Sequence, residues 1–187
     1  MTLFDTKDAA RKAAKARRKA ARAAHPDAAQ AAMAVFLDAV TLAPDDIVSG
    51  YRPIFSELDP TPLMIALHAQ GTRLCVPVIV GEAQPLVFRV WTPDTPMEKG
   101  AFGAEIPVDA REVVPSVLIA PMLAYDRAFW RLGYGGGFYD RTLEGLRARG
   151  PARAYGYAYA EQEMDSVPIE ATDQRLDGIV TQCGLVK

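Results

Sequence analysis

The chain has 187 residues, 50% of them hydrophobic and 24% charged, with a formal net charge of −2, which suits one globular domain over residues 1–187 and a core that needs no covalent staples. Its two cysteines, Cys75 and Cys183, exclude a disulfide scaffold, and with His25 and His68 they fall in no C-x-x-C or H-x-x-x-H spacing, so structural zinc is not expected. No apolar run approaches the ~18 residues needed to span a bilayer, Met1 to Asp8 lack the apolar stretch of a secretory signal, and a cytoplasmic protein with no membrane partner is expected.

From Lys7 to Arg22 eight basic residues stand against the single acid Asp8, a local charge of +7 that leaves −9 for the rest. The segment is alanine-rich and free of Gly and Pro, so it is expected to be helical, with Asp5 and Asp8 placed to start it. Three readings of this helix stay open: a solvated surface, a nucleic-acid contact, or a source of one or two cations for an internal polyphosphate site. Lys7 and Arg11 are four apart and share a face, which the third reading requires.

Pro26 fits the first turn of a second helix, and Met33, Phe36, Leu37 and Val40 give it an apolar stripe that ends before Pro44. Residues 47–54 read as a strand, 63–70 as a short helix stopped by Gly71, and 73–80 and 86–91 as strands. Pro77 predicts an edge or a bulge in the first of these two. Residues 92–115, with four prolines and two glycines, read as a long loop of the kind that often carries function. Val117 to Ala120 is a candidate central strand, a helix is expected from about Tyr139 to Arg149, and the last strands fall at 154–160 and 178–182. Helices alternate with short strands, so the expected architecture is an α/β three-layer sandwich around a mostly parallel sheet.

The first chemical signal is RLGYGGGFYDR, residues 131–141. Gly133, Gly135, Gly136 and Gly137 precede a helical segment, and glycine lets backbone N–H groups turn into a cavity and hold an anion, phosphate above all. Arg131 and Arg141 add positive charge, and Asp140, in the first helical turn, suits either the helix dipole or Mg²⁺ beside bound phosphates. No Lys-Ser/Thr follows the glycines and Phe138 breaks the G-x-G-x-x-G pattern, so neither the Walker loop nor the dinucleotide fingerprint is present.

That stretch resembles the most characteristic block of the 5-formyltetrahydrofolate cyclo-ligases, also called methenyltetrahydrofolate synthetases. Four further blocks resemble the family in the same order: Lys7-x-x-x-Arg11, YRPIFSELDPTPLM with Glu57, FGAEIPV, and VPIEATDQRLDGIVT with Asp173 and Asp177. The resemblance spans almost the whole chain. It implies a NagB/RpiA/CoA-transferase-like fold and a reaction in which ATP phosphorylates the formyl oxygen of 5-formyltetrahydrofolate, the N10 amine closes a ring, and 5,10-methenyltetrahydrofolate, ADP and phosphate leave, with Mg²⁺ required. Phosphoryl transfer needs positioning and charge neutralisation rather than a covalent nucleophile.

By the same resemblance Lys7 and Arg11 contact ATP phosphates, and Arg131, Gly133, Tyr134, Gly135, Gly136, Gly137, Phe138 and Tyr139 form the nucleotide loop, with Arg131 and Tyr134 as catalytic candidates. Asp140 and Asp173 are the expected magnesium ligands. Glu57 is expected to accept hydrogen bonds from the pterin, with Arg52, Phe102 and Tyr134 lining the same pocket. Phe102 has core packing as its plain alternative. Tyr134 and Gly136 stand where several relatives carry a basic or long side chain, a contact that Arg127 or Arg141 would have to supply. Lys12, Lys15, Arg17, Arg18, Lys19 and Arg22 are expected to be solvated surface. The partners implied are ATP and the folate, with or without a polyglutamate tail, acting on a monomer. A second reading keeps the fold but makes it an inactive domain that binds a nucleotide or RNA through the basic helix. A third is an ATP-independent enzyme of the sugar-phosphate isomerase or CoA-transferase type.

Overall fold

Short β-branched runs separated by helices build one seven-stranded sheet in the computed structural model, which describes residues 3–186, with side chains from Lys7 onward. The helices are α1 (Leu3–Ala24), α2 (Ala28–Ala39), α3 (Thr61–Ala69) and α4 (Phe138–Arg149). The strands are β1 (Ile47–Ser49), β2 (Arg73–Val78), β3 (Val87–Trp91), β4 (Met97–Lys99), β5 (Glu105–Pro107), β6 (Val117–Ala120), β7 (Ala124–Tyr125), β8 (Arg131–Leu132), β9 (Arg153–Tyr157), β10 (Gly178–Thr181) and β11 (Gly184–Val186). The sheet runs β11-β10-β9-β6-β1-β2-β3, with β4–β5 and β7–β8 as separate two-stranded ribbons.

From β10 through β9, β6 and β1 to β2 every pairing is parallel, and only the outer strands β11 and β3 pair antiparallel. The central strand β6 is buried at all four positions, as a parallel strand covered on both faces must be. Its side chains alternate: Val117 and Ile119 pack with Phe36, Leu63 and Leu67 of α2 and α3, while Leu118 packs with Leu143 of α4 on the opposite face. Each such buried side chain contributes roughly 1.5–3 kcal/mol. The expected three layers are thus present.

The element boundaries correct several expectations. β1 ends at Ser49 rather than residue 54, because the chain leaves the sheet at Gly50 and the Tyr51 hydroxyl donates to the carbonyl of Leu58. Pro77 lies in a strand inside the sheet, yet β1 stops opposite Cys75, so β2 has no partner on that side where proline lacks its N–H. Pro26 falls just outside α2, whose cap is Asp27. The long loop contains the β4–β5 hairpin, and β7, β8 and β11 were not foreseen. α1 begins at Leu3, so Asp8 lies within the helix; the Asp5 side chain lies outside the described residues.

α1 turns one stripe toward the body: Lys7, Ala14, Arg18 and Ala21 are buried and Arg11 is half-buried, at spacings of three and four. Ala14 packs with Leu123, Leu132 and Val167. Lys12, Lys15 and Lys19 are exposed, as are Arg17 and Arg22, which nonetheless donate to the carbonyls of Glu163 and Phe55. Among the described residues no helix is long and apolar enough to cross a membrane.

Candidate functional site

The loops that leave the carboxyl ends of β1 and β6 open a crevice beside the central parallel strands, the place where open α/β sheets take their ligands. Residues after β1 supply Tyr51, Arg52, Phe55 and Glu57, Pro121 follows β6, and the glycine loop between β8 and α4 forms the opposite wall. The cleft encloses about 850 Å³. The residues expected to bind ATP, the folate or the metal all line it: Lys7, Arg11, Arg52, Glu57, Phe102, Arg131, Gly133 through Asp140, and Asp173.

At one end the glycine loop meets four cations. Gly135 and Gly137 adopt positive φ values of 103° and 64°, which only glycine takes without strain, and Gly137 caps α4. The N-terminal turn of a twelve-residue helix therefore opens on the cleft, a favourable seat for an anion. Arg11 reaches over the loop and its Nε donates to the Gly133 carbonyl at 3.2 Å. Arg131, its side chain only 4% exposed, pairs with Asp140 Oδ1 at 2.9 Å and lies over the Tyr139 ring. Arg141 donates to the Gly136 carbonyl at 2.6 Å and lies over Phe138. Lys7 is buried and pairs with Asp173 Oδ2 at 3.0 Å and with Glu170 at 3.4 Å.

Asp140 and Asp173 are thus each tied to a cation, and no group of three or more metal-ligating side chains occurs among the described residues. The hydrogen bonds to Asp140 fall on Oδ1, which also accepts the Gln174 N–H at 2.8 Å, and those to Asp173 fall on Oδ2. Among the described residues, one oxygen of each carboxylate stays without a hydrogen bond. Magnesium in nucleotide sites is held by one or two carboxylates with phosphate oxygens and water, so this pair fits such an ion. Asp177, by contrast, pairs with Arg147 and accepts the Ala154 N–H at 2.7 Å, a structural tie outside the cleft.

At the other end Glu57 is only 5% exposed. Its Oε2 accepts the Ile54 N–H at 2.8 Å and its Oε1 accepts the Tyr134 hydroxyl at 3.0 Å. Burial pushes its carboxyl above the usual glutamate range, opposed by the Ile54 N–H, the Arg18 charge and the Tyr134 hydroxyl. Burial and the Glu57 charge push the Tyr134 phenol up to about 12, so it stays a donor at neutral pH. Arg52 pairs with Glu105 at 2.8 Å and so ties the β4–β5 hairpin to the cleft. Phe102, at the tip of that hairpin, is 70% exposed with a left-handed backbone at φ 55°. Core packing is therefore not its role. Phe55 lines the same cleft in the same state, 74% exposed with φ 54° and its ring 6.3 Å from Tyr134.

Two expectations need correction. Arg18 is no surface cation: it is 2% exposed and donates to Ser56 Oγ at 3.1 Å, the Met122 carbonyl at 3.0 Å and the Tyr134 hydroxyl at 2.6 Å, with Glu57 Oε1 at 3.8 Å. The signal was present, since Arg18 is seven residues from Arg11 and returns to the same helix face. Arg127 cannot supply a contact to the glycine loop, because it is exposed, pairs with Glu163 at 2.7 Å and does not line the cleft. Arg141 does line it.

The chain matches the model of the 5-formyltetrahydrofolate cyclo-ligase family over residues 4–182. It is 36% identical over 140 residues to the 5-formyltetrahydrofolate cyclo-ligase of Escherichia coli K12, covering 72% of this chain and 76% of that protein. It is 33% identical over 139 residues to the enzyme of the same name from Haemophilus influenzae, covering 71% and 74%. Among solved structures it is similar to the 5,10-methenyltetrahydrofolate synthetase of Aquifex aeolicus, with a TM-score of 0.76, 25% identity and coverage of 97% of this chain and 92% of that one. A match of this extent, on a chain whose candidate site residues converge on one cleft, places the protein in the 5-formyltetrahydrofolate cyclo-ligase family.

Proposed function

We propose that this chain, acting as one domain and as a monomer, uses ATP to cyclise 5-formyltetrahydrofolate to 5,10-methenyltetrahydrofolate, releasing ADP and phosphate. The observation that carries the reading is the convergence in one cleft of a glycine loop, ringed by Lys7, Arg11, Arg131 and Arg141, and a buried carboxylate, Glu57, that accepts from its Tyr134.

In this reading the ATP phosphates lie along the glycine loop at the start of α4. Arg11 and Lys7 close over them from α1, and Arg131 and Arg141 flank the phosphoryl group in transit. Tyr134, a neutral phenol at physiological pH, offers its hydroxyl beside the reacting formyl group. Asp140 and Asp173 would hold Mg²⁺, which neutralises phosphate charge. Glu57 accepts the adjacent N–H donors of the pterin edge, and Arg52, Phe102 and Phe55 enclose the ring system. No residue needs to become a covalent nucleophile, in keeping with Cys75 being buried and Cys183 lying away from the cleft. A cytoplasmic setting and a polyglutamate tail on the folate belong to the same proposal.

The test is an absorbance assay of the purified protein with 5-formyltetrahydrofolate and Mg²⁺, with and without ATP. An ATP-dependent rise of the methenyl chromophore is the expected result. Folded protein that gives no rise would refute the reading and favour the binding domain, to be tested with RNA on the outward cations of α1.

A further inference from the structure

Glu57 needs help to act as an acceptor, because a carboxylate this deeply buried tends to hold a proton. The groups facing it are Arg18 from α1, Tyr134 from the glycine loop, Tyr139 from α4, and Tyr51 from its own segment, which also carries Asp59; the end of β6 contributes only the Met122 carbonyl to the Arg18 network. Arg18 is the one cation in this set. Its fork is fully spread: Nε, Nη1 and Nη2 each bond to a different segment, at Ser56, Met122 and Tyr134. Tyr134 accepts from Arg18 at 2.6 Å and donates to Glu57 Oε1 at 3.0 Å, a relay in which each bond polarises the next. A lysine could make no such planar spread.

We propose that Arg18 is a positioning residue for the folate end of the cleft, its guanidinium holding the Glu57 carboxylate and the Tyr134 hydroxyl as one unit and so joining the folate subsite to the glycine loop. The inference rests on the reading of Glu57 as the pterin-binding carboxylate. Without Arg18 the Glu57 carboxyl keeps its proton to higher pH, and a protonated carboxyl no longer accepts at both oxygens. The deficit is therefore specific to one substrate and to one side of a titration, which loss of packing alone would not produce.

The experiment measures 5-formyltetrahydrofolate binding by calorimetry across neutral to alkaline pH, as the ratio of variant to wild-type affinity so that ionisation of the ligand cancels. Arg18→Met is expected to bind about 10- to 100-fold more weakly near neutral pH, with the gap closing as pH rises. Affinity for a non-hydrolysable ATP analogue is expected to change by no more than about threefold. In the double variant with Glu57→Gln the pH dependence disappears. Arg18→Lys, which keeps the charge and is the fallback if Arg18→Met fails to fold, restores part of the affinity. Carbon NMR of the Glu57 carboxyl in the free protein gives a readout that needs no substrate: its midpoint moves up in the Arg18 variants. An unmoved midpoint, or a binding loss independent of pH, overturns the proposal. If wild type fails to bind the folate while the midpoint still moves, the proposed function fails and the hold of Arg18 on Glu57 stands.

Discussion

Lys7 and Asp173 lie 166 residues apart in sequence and 3.0 Å apart in space. Their ion pair closes the first helix onto the segment before β10, so the two ends of the chain share one wall of the cleft.

Lys7→Ala is expected to raise the ATP KM by about tenfold or more, through loss of a charge-assisted phosphate contact. Lys15→Ala, on the outward face of the same helix, is expected to change stability by less than about 0.5 kcal/mol and leave both KM values alone. Steady-state kinetics of the two variants decide the matter. A large loss in Lys15→Ala would mean that the other face of α1 meets the nucleotide.

Asp140→Asn removes the carboxylate partner of the buried Arg131 as well as a candidate metal ligand. The fold is expected to persist with a stability loss of about 1–3 kcal/mol, and turnover to fall by about 100-fold or more. Thermal melts paired with a Mg²⁺ titration of activity check both. Unchanged activity at saturating Mg²⁺ would remove Asp140 from the metal site.

Glu57→Gln provides a stability test through linkage. Burial raises the carboxyl above its ordinary value in the folded state. The folded protein therefore holds this proton more tightly than the unfolded chain, and wild type loses stability as pH rises from the ordinary glutamate range through the raised value. Denaturant midpoints of wild type minus Glu57→Gln are expected to fall over that window, with little change below it. A difference that rises with pH would contradict the assignment.

Gly135→Ala strains a backbone held at φ 103° and puts a methyl group 3.1 Å from the Arg11 guanidinium. The expected cost is about 1–2 kcal/mol of stability and roughly tenfold in ATP affinity, because Arg11 is pushed off the loop. At Gly133 the added Cβ meets open space, so Gly133→Ala is the control with the smaller stability loss. Equal losses in the two would show that the left-handed turn at Gly135 is not what seats Arg11.

The sequence carried the layers and the central strand because Val117 to Ala120 has one reading, a strand buried on both faces. It misplaced strand ends where a partner strand decides them: β1 stops at Ser49 although Tyr51 and Ile54 continue a plausible β pattern. The cleft residues were found through blocks of local sequence, each rich enough to be read alone. Arg18 belongs to no such block. Helical periodicity puts it on the face of Arg11, but the partners that bury it, Ser56, Met122 and Tyr134, arrive from three distant segments that no local pattern reveals. The exposed Phe55, just past the run expected as a strand, was missed because a lone phenylalanine is ordinarily core.

The seat of α1 has a consequence for how ligand binding is observed. The helix contributes no strand partner; alanines and the polar ends of Lys7, Arg11, Arg17, Arg18 and Arg22 hold it in place. An element attached so sparingly opens more readily than the sheet, and a ligand that bridges it to the glycine loop slows that opening by mass action. Amide hydrogens in its first turns therefore serve as a built-in occupancy gauge, their exchange slowing when the cleft fills while β6 hardly changes.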